Sequence, residues 1–281
     1  MRRPRPPVVA GITILLLAMT PPPTLEAQSV PAVTSPATDT HHVGKFVWWD
    51  LVTPDVGAAA AFYGQVLGWD VEPLADDYAV ISNDGRPIAG ITESDGPNEV
   101  GWIGSLSVGS ADGAADWAKG NGGRVLDDPV DVPDRGRMAV LADAQGAVFT
   151  ALVSSSGDPA DTDPAPGDWA WAELWTTDVE AAADFYRRLV GYQFAAVHDG
   201  AYHVFGRYDV PRAGVVEIEW AGIEPNWLPY VKVADLGAVV RRVEEAGGKV
   251  LREPTDDFED GRVAFIGDPT GGVLAVWEGG P

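Results

Sequence analysis

The feature that most limits what this chain can fold into is that it repeats itself. The run Trp49-Asp50-Leu51-Val52-Thr53-Pro54-Asp55-Val56 leads into Ala59-Ala60-Ala61-Phe62-Tyr63 and then Leu67-Gly68-Trp69. Much later, Ala172-Glu173-Leu174-Trp175-Thr176-Thr177-Asp178-Val179 leads into Asp184-Phe185-Tyr186 and Val190-Gly191-Tyr192. The two runs lie about 123 residues apart, and self-similarity at a fixed period means that one structural unit is used twice. The second halves repeat as well. Trp102, Gly123, Pro129, Gly136-Arg137, Asp143 and Gly146 return as Trp227, Gly248, Pro254, Gly261-Arg262, Asp268 and Gly271. Between the copies, Ser154 to Asp168 is rich in Asp and Pro with almost nothing to bury, the composition of a linker. Two homologous domains are expected, at 44–154 and 169–281, joined by a linker at 155–168 and preceded by a flexible leader at 28–43.

Each copy divides again. A β-type run ends at Thr53-Pro54-Asp55, where the Asp55 carboxylate can accept the orphan N–H groups of a helix's first turn. Ala59, Phe62, Val66 and Leu67 follow at helical spacing, and Gly68 supplies a left-handed stop. The same layout recurs from Asp178 to Gly191, from Ser110 to Gly122 and from Asp235 to Gly247. Short strands trail these units, among them Tyr78–Ser82, Ile88–Thr92, Tyr202–Phe205, Val215–Ile218 and Val263–Ile266. The pattern predicts an α+β fold made of four βαβββ modules, two to a domain.

Composition narrows the function classes. With 42 acidic against 19 basic residues and a net charge of -23, the chain lacks the cationic surface that nucleic-acid backbones demand. It contains no cysteine, which excludes disulfides, thiolate nucleophiles and Cys-ligated metals. Arg2, Arg3 and Arg5 precede an apolar run from Val8 to Met19, then Pro21–Pro23 and a small-residue junction near Ala27. That is the layout of a secretory signal peptide over 1–27, so a secreted or periplasmic protein is expected, with no membrane span in the mature chain. Serine-protease chemistry is disfavoured, because the in-domain histidines His198 and His203 stand together on one hairpin. His41 and His42 fall in the leader, and Gly120-Asn121-Gly122-Gly123 follows a helix where a phosphate loop would open one.

The strand leading to Thr53-Pro54-Asp55-Val56, then Ala59-Ala60-Ala61-Phe62-Tyr63 and Leu67-Gly68-Trp69, resembles the first module of the vicinal-oxygen-chelate superfamily. That superfamily comprises glyoxalases, bleomycin-resistance proteins and dioxygenases. Gly267-Asp268-Pro269-Thr270-Gly271 resembles the close of its second module, with Asp143-Ala144-Gln145-Gly146 a weaker copy. The resemblance spans Gly44 to Glu278 and implies two tandem domains whose curved mixed sheets each form an open cup for a ligand. It does not decide the reaction, since the superfamily holds enzymes and non-catalytic binders.

Family enzymes place His or Glu at four positions per cup to hold a divalent cation. The resemblance carries those positions to the neighbourhood of Trp48, Gly90, Ile103 and Thr150 in the first domain, and of Trp171, Gly214, Leu228 and Ala275 in the second. None is His, Asp or Glu, so no metal ligand and no cofactor is predicted, although a divalent metal held by residues in another register stays open. If Trp48 faces the cup, strand alternation turns Asp50 inward beside it, together with Ser105 and Ser107 from the other module. The same count turns Trp171, Glu173 and Trp175 into the second cup, with Tyr230, Lys232 and Trp277. Asp50 and Glu173 are the candidate catalytic groups, and a Lys232 within reach of Glu173 would make a simple ion pair. A carboxylate among aromatics can gain a raised pKa or recognise a cation, and it can equally serve as a structural hydrogen-bond acceptor.

The reading taken forward is a protein that binds a small organic molecule, aromatic or cationic, in aromatic-lined cups without the family metal. One alternative is a lyase, isomerase or oxygenase using a metal or the acid–base groups Asp50 and Glu173. The other is a non-catalytic interaction module with plugged cups. Two complete domains in one chain suit either a monomer or a homodimer.

Overall fold

A computed structural model describes residues 30–75, 77–94, 96, 100–197, 202–256 and 258–279. The expected signal peptide and His198 lie outside them. The first module is β1 (Phe46–Thr53), α1 (Val56–Leu67), β2 (Asp70–Pro73), β3 (Tyr78–Asn83) and β4 (Arg86–Glu93). The second is β5 (Gly101–Ser107), α2 (Ala111–Gly120), β6 (Arg124–Val132), β7 (Gly136–Ala142) and β8 (Val148–Ser154). The third is β9 (Trp169–Thr176), α3 (Val179–Val190), β10 (Gln193–Val197), β11 (Tyr202–Arg207) and β12 (Val210–Glu217). The fourth is β13 (Asn226–Val233), α4 (Leu236–Glu245), β14 (Lys249–Arg252), β15 (Val263–Gly267) and β16 (Val273–Glu278). The predicted α+β architecture of four βαβββ modules is what forms.

Two modules share each sheet. The first eight-stranded sheet runs β2-β3-β4-β1-β5-β8-β7-β6, and the second repeats that order as β10-β11-β12-β9-β13-β16-β15-β14. The modules join where β1 meets β5 and β9 meets β13, both antiparallel. Parallel pairs, β1 with β4 and β5 with β8, flank the first seam. The helices start where the sequence says they should. Asp55, Ser110, Asp178 and Asp235 each accept a first-turn N–H, at 2.8, 3.1, 2.9 and 2.7 Å. Such a cap stabilises a helix by about 1 kcal/mol. Gly68 and Gly191 end α1 and α3 with φ of 75° and 72°, a conformation that costs glycine nothing.

Alternation divides each strand between two environments. On β1, Trp49, Leu51 and Thr53 face the helices, while Trp48 and Asp50 face the other way. The helix-facing side chains of both domains enter one continuous core. Trp169 of the second domain packs 5.2 Å from Trp69, 5.2 Å from Trp102 and 5.7 Å from Trp49 of the first.

A pair of buried polar latches crosses this core with the symmetry of the repeat. The Tyr63 hydroxyl donates to Asp268 Oδ2 at 2.9 Å and accepts from Trp102 Nε1 at 3.2 Å. The Tyr186 hydroxyl donates to Asp143 Oδ2 at 3.1 Å and accepts from Trp227 Nε1 at 2.9 Å. The other oxygen of each aspartate gathers backbone N–H groups of its own turn, from Gln145, Gly146 and Ala147 or from Thr270, Gly271 and Gly272. The repeated Asp143 and Asp268 therefore tie each domain to the α-helix of the other.

The leader and linker differ from their sequence reading. Residues 30–43 lie along the segment after β8, with Thr34 and Thr38 bonded to Ser156, and Thr40 and His42 to Asp158. Asp158, in a stretch that offered nothing to bury, is 1% exposed. Its carboxylate accepts from Ser107 Oγ and His42 N, both at 2.6 Å, and a buried acceptor so placed fixes two segments at once. Val33 of the leader packs with Val47, Leu152 and Met138 on the helix-free side of the first sheet. Among the described residues no helix is long and apolar enough to cross a membrane.

Candidate functional site

The helix-free face of each sheet carries a carboxylate at the seam between modules, and the pairing register explains why it sits there. Asp50 lies opposite Gly90 on one side and Ile103 on the other. Glu173 lies opposite Gly214 and Leu228. Trp171 and Ala275 both pair with Tyr230 on the intervening strand. Gly90 with Ile103, and Gly214 with Leu228, among the positions to which the resemblance carries metal ligands, thus flank the two carboxylates.

Glycine at two of those positions has a physical reason. A Cβ on Gly90 would stand 2.1 Å from the Tyr78 hydroxyl oxygen and 2.3 Å from Asp50 Oδ1. A Cβ on Gly214 would stand 1.8 Å from the Tyr202 hydroxyl oxygen and 2.9 Å from Trp171 Nε1. The tyrosine of the neighbouring strand occupies the volume a ligating side chain would need. Tyr78 donates to Asp50 Oδ1 at 2.9 Å, and Trp48 Nε1 donates to the same oxygen at 3.0 Å. In the second cup Tyr202 donates to Glu173 Oε2 at 2.7 Å, while Trp175 Nε1 and Tyr230 donate to Oε1 at 2.8 and 3.0 Å. Trp171 Nε1 completes the network by donating to the Tyr202 hydroxyl at 3.1 Å.

A resident metal does not fit this chemistry. Hard and borderline cations need several imidazole or carboxylate donors converging on one point. Asp50 in the first cup and Glu173 in the second are already engaged by O–H and N–H donors. Among the described residues no group of three or more His, Asp or Glu is placed to hold a metal ion.

Electrostatics separates the two cups. Glu173 is 6% exposed. Burial pushes its carboxyl above the usual range, against the pull of the Tyr202, Trp175 and Tyr230 hydrogen bonds. Burial likewise raises Tyr202 and Tyr230, with the Glu173 charge adding to it. A cavity of about 440 Å³ opens beside Glu173, lined by Trp175, Trp220, Tyr230, Phe258 and Phe265 as well as Glu217, Glu219 and Glu259. Trp175 stands 5.2 Å from Trp220 and 5.5 Å from Phe265. The first cup holds a cation instead. The Arg135 guanidinium lies 3.8 Å above the Trp48 ring.

The sequence-derived residues are distributed as follows. Trp48 with Asp50, and Trp171, Trp175 and Tyr230 with Glu173, come together. Trp48 is 1% exposed and forms a wall behind Asp50. Ser105 is buried, and Ser107 is turned to Asp158. Lys232 is in none of the ion pairs among the described residues, and its ammonium lies 6.0 Å from the Trp277 ring centroid. His203 stacks on Phe194 at 5.0 Å with an interplanar angle of 4°.

Several site residues escaped the sequence reading. Tyr78 and Tyr202 had a signal, since each precedes its glycine, Gly90 or Gly214, by the same interval. Arg135 had none. The repeat aligns it with Asp260, so the copies disagree there in charge. Phe258, Phe265, Trp220 and Glu259 reach the second cup only through the fold of its outer hairpin and the loop after β12.

Comparison with known proteins agrees with this architecture. Residues 169–276 match the model of the Glyoxalase/Bleomycin resistance protein/Dioxygenase superfamily, and residues 47–152 match that of a glyoxalase-like domain. The chain is 34% identical over 260 residues to the anthracycline biosynthesis protein DauV of Streptomyces sp. strain C5, covering 84% of this chain and 93% of that protein. The Mn(II)-bound glyoxalase from Novosphingobium aromaticivorans superposes with a TM-score of 0.61 at 14% identity, covering 84% of this chain and 82% of the other. An extradiol ring-cleaving dioxygenase from B. fuscum also gives 0.61, at 13% identity, over 90% of this chain and 75% of the other. At such identities the two structures speak for the fold alone. The chain belongs to the glyoxalase/bleomycin resistance protein/dioxygenase, or vicinal-oxygen-chelate, superfamily, with two such domains in tandem.

Proposed function

We propose that this protein binds a planar aromatic molecule bearing a basic group in its second cup, without a metal ion. The observation that carries the reading is the cavity of about 440 Å³ lined by aromatic rings and by the carboxylates Glu173, Glu180, Glu217, Glu219 and Glu259. Flat indole and phenyl faces favour a flat ligand, and indoles beside carboxylates favour a positive charge on it. The volume is within the range of pockets that enclose drug-sized molecules. A relative named for anthracycline biosynthesis, 34% identical, supports a polycyclic aromatic ligand of that class. The leading run of Arg2, Arg3, Arg5 and the apolar Val8 to Met19 supports binding outside the cytoplasm.

The test is fluorescence titration of the full chain with proflavine, a planar aromatic cation, and with an anthracycline. Saturable quenching of the cup tryptophans is expected, weakened at least tenfold in Trp175→Ala. Quenching that is unsaturable, or indifferent to Trp175, contradicts the proposal.

A second reading rests on Glu173. A carboxyl whose pKa burial raises above the usual carboxylate range can give or take a proton at the cavity wall. On that reading the bound molecule is turned over, and Glu173→Gln keeps binding while losing turnover.

A further inference from the structure

We infer that the first cup is a second binding site of opposite chemistry, taking a small organic oxyanion through Arg135. Arg135 is 4% exposed, and its Nε is buried without a hydrogen-bond partner. None of the ion pairs among the described residues includes it. Burying a guanidinium without a salt bridge is costly, and stacking on an indole offsets only part of that cost.

The arginine is held in place, which separates it from a side chain that merely lacks a neighbour. Its backbone N–H donates to Val132 O at 3.1 Å, and its carbonyl accepts from Ser155 N at 3.0 Å. Asp134 before it has φ of 61°, and Gly136 after it has φ of 121°. A Cβ on Gly136 would stand 2.1 Å from Val153 O, so the hairpin is packed closely against β8 at that point. The guanidinium carbon lies 3.8 Å from the centroid of the Trp48 ring, whose own N–H is directed to Asp50.

The neighbours define the ligand. Asp50 and Tyr78 stand in the same cup and are part-exposed, as is Ile103. The Asp50 carboxylate disfavours a multiply charged anion such as phosphate and offers an acceptor for a hydroxyl. A monoanion with an adjacent hydroxyl on an aromatic ring satisfies both ends: oxyanion on Arg135, O–H toward Asp50, ring over Ile103. The aligned position in the second cup is Asp260, so this preference is confined to the first.

The experiment is isothermal titration of the full chain with 1-hydroxy-2-naphthoate and with its neutral amide, with proflavine titrated in parallel. The acid should bind at least tenfold more tightly than the amide, should not displace proflavine, and should lose at least tenfold in affinity in Arg135→Met, with partial rescue in Arg135→Lys. Equal binding of acid and amide, no binding of the acid at millimolar concentration, displacement of proflavine by the acid, or unchanged affinity in a cooperatively folded Arg135→Met each overturns the inference. If Arg135→Met does not fold, the acid-to-amide ratio of the unaltered protein decides alone. Failure of proflavine to bind bears only on the second cup.

Discussion

Gly214→Ala is the sharpest perturbation of the second cup, because one methyl group reaches the centre of its network. The added Cβ would stand 1.8 Å from the Tyr202 hydroxyl oxygen and 2.6 Å from Cζ. An ordinary carbon–oxygen contact needs about 3.3 Å, so the phenol must retreat by roughly 1.5 Å. The 2.7 Å hydrogen bond to Glu173 Oε2 cannot survive that shift. Losing a hydrogen bond to a buried carboxylate costs about 2 kcal/mol, and overpacking a filled site costs about 2 kcal/mol more. At 2–4 °C per kcal/mol in proteins of this size, roughly 4 kcal/mol lowers Tm by about 12 °C. The assay is urea and thermal unfolding of the full chain beside Gly109→Ala, where a Cβ meets nothing within 4 Å and stability should change by less than ~0.5 kcal/mol. If Gly214→Ala unfolds like Gly109→Ala, Tyr202 does not stand where the account puts it, and the steric case against a ligating side chain at that position falls with it.

Tyr63→Phe should destabilise by about 3 kcal/mol, since it orphans both Asp268 Oδ2 and the Trp102 N–H. Tyr186→Phe should match it, and the pair should be nearly additive in urea unfolding; wild-type stability in either contradicts the latches. Glu173 also writes a pH signature. Its folded pKa is raised, so folded and unfolded states are both protonated well below the ordinary carboxylate range. As pH climbs through that range toward the raised value, the unfolded state releases its proton first and stability falls. Glu173→Gln should remove that portion of the slope when ΔG of unfolding is measured against pH; parallel profiles for the two proteins would refute the shift. Asp158→Ala frees Ser107 and His42, so limited proteolysis should cut the leader near residues 30–43 faster than in the parent, and equal rates would contradict its anchoring.

The fold was legible because its determinants are local and repeated. Four capping side chains, each at the head of an apolar helical stripe, and the glycines behind them needed no tertiary context. Asp50 and Glu173 were also legible, since period-two alternation from Trp48 and Trp171 fixes their face. What alternation could not reveal is how a side chain on one strand reaches across a glycine on the next. Hence Tyr78 and Tyr202 were passed over, although their hydroxyls hold both carboxylates. Arg135 lay beyond sequence reasoning because its position depends on a hairpin geometry that its repeat partner, Asp260, does not share in charge. The leader was misread from composition, which carries no record of Asp158 gathering Ser107 and His42 from two distant segments.

On the proposed reading, the aromatic walls and buried Glu173 of the second cup bind an aromatic cation with no metal ion. That reading is tested most directly by titrating chelator-dialysed full-length protein with proflavine and an anthracycline, before and after adding Mn(II) or Fe(II). Saturable quenching with a Kd on the order of micromolar, unchanged by metal, is predicted. Binding that appears only once the metal is restored, with stoichiometric metal retained by the protein, would contradict it.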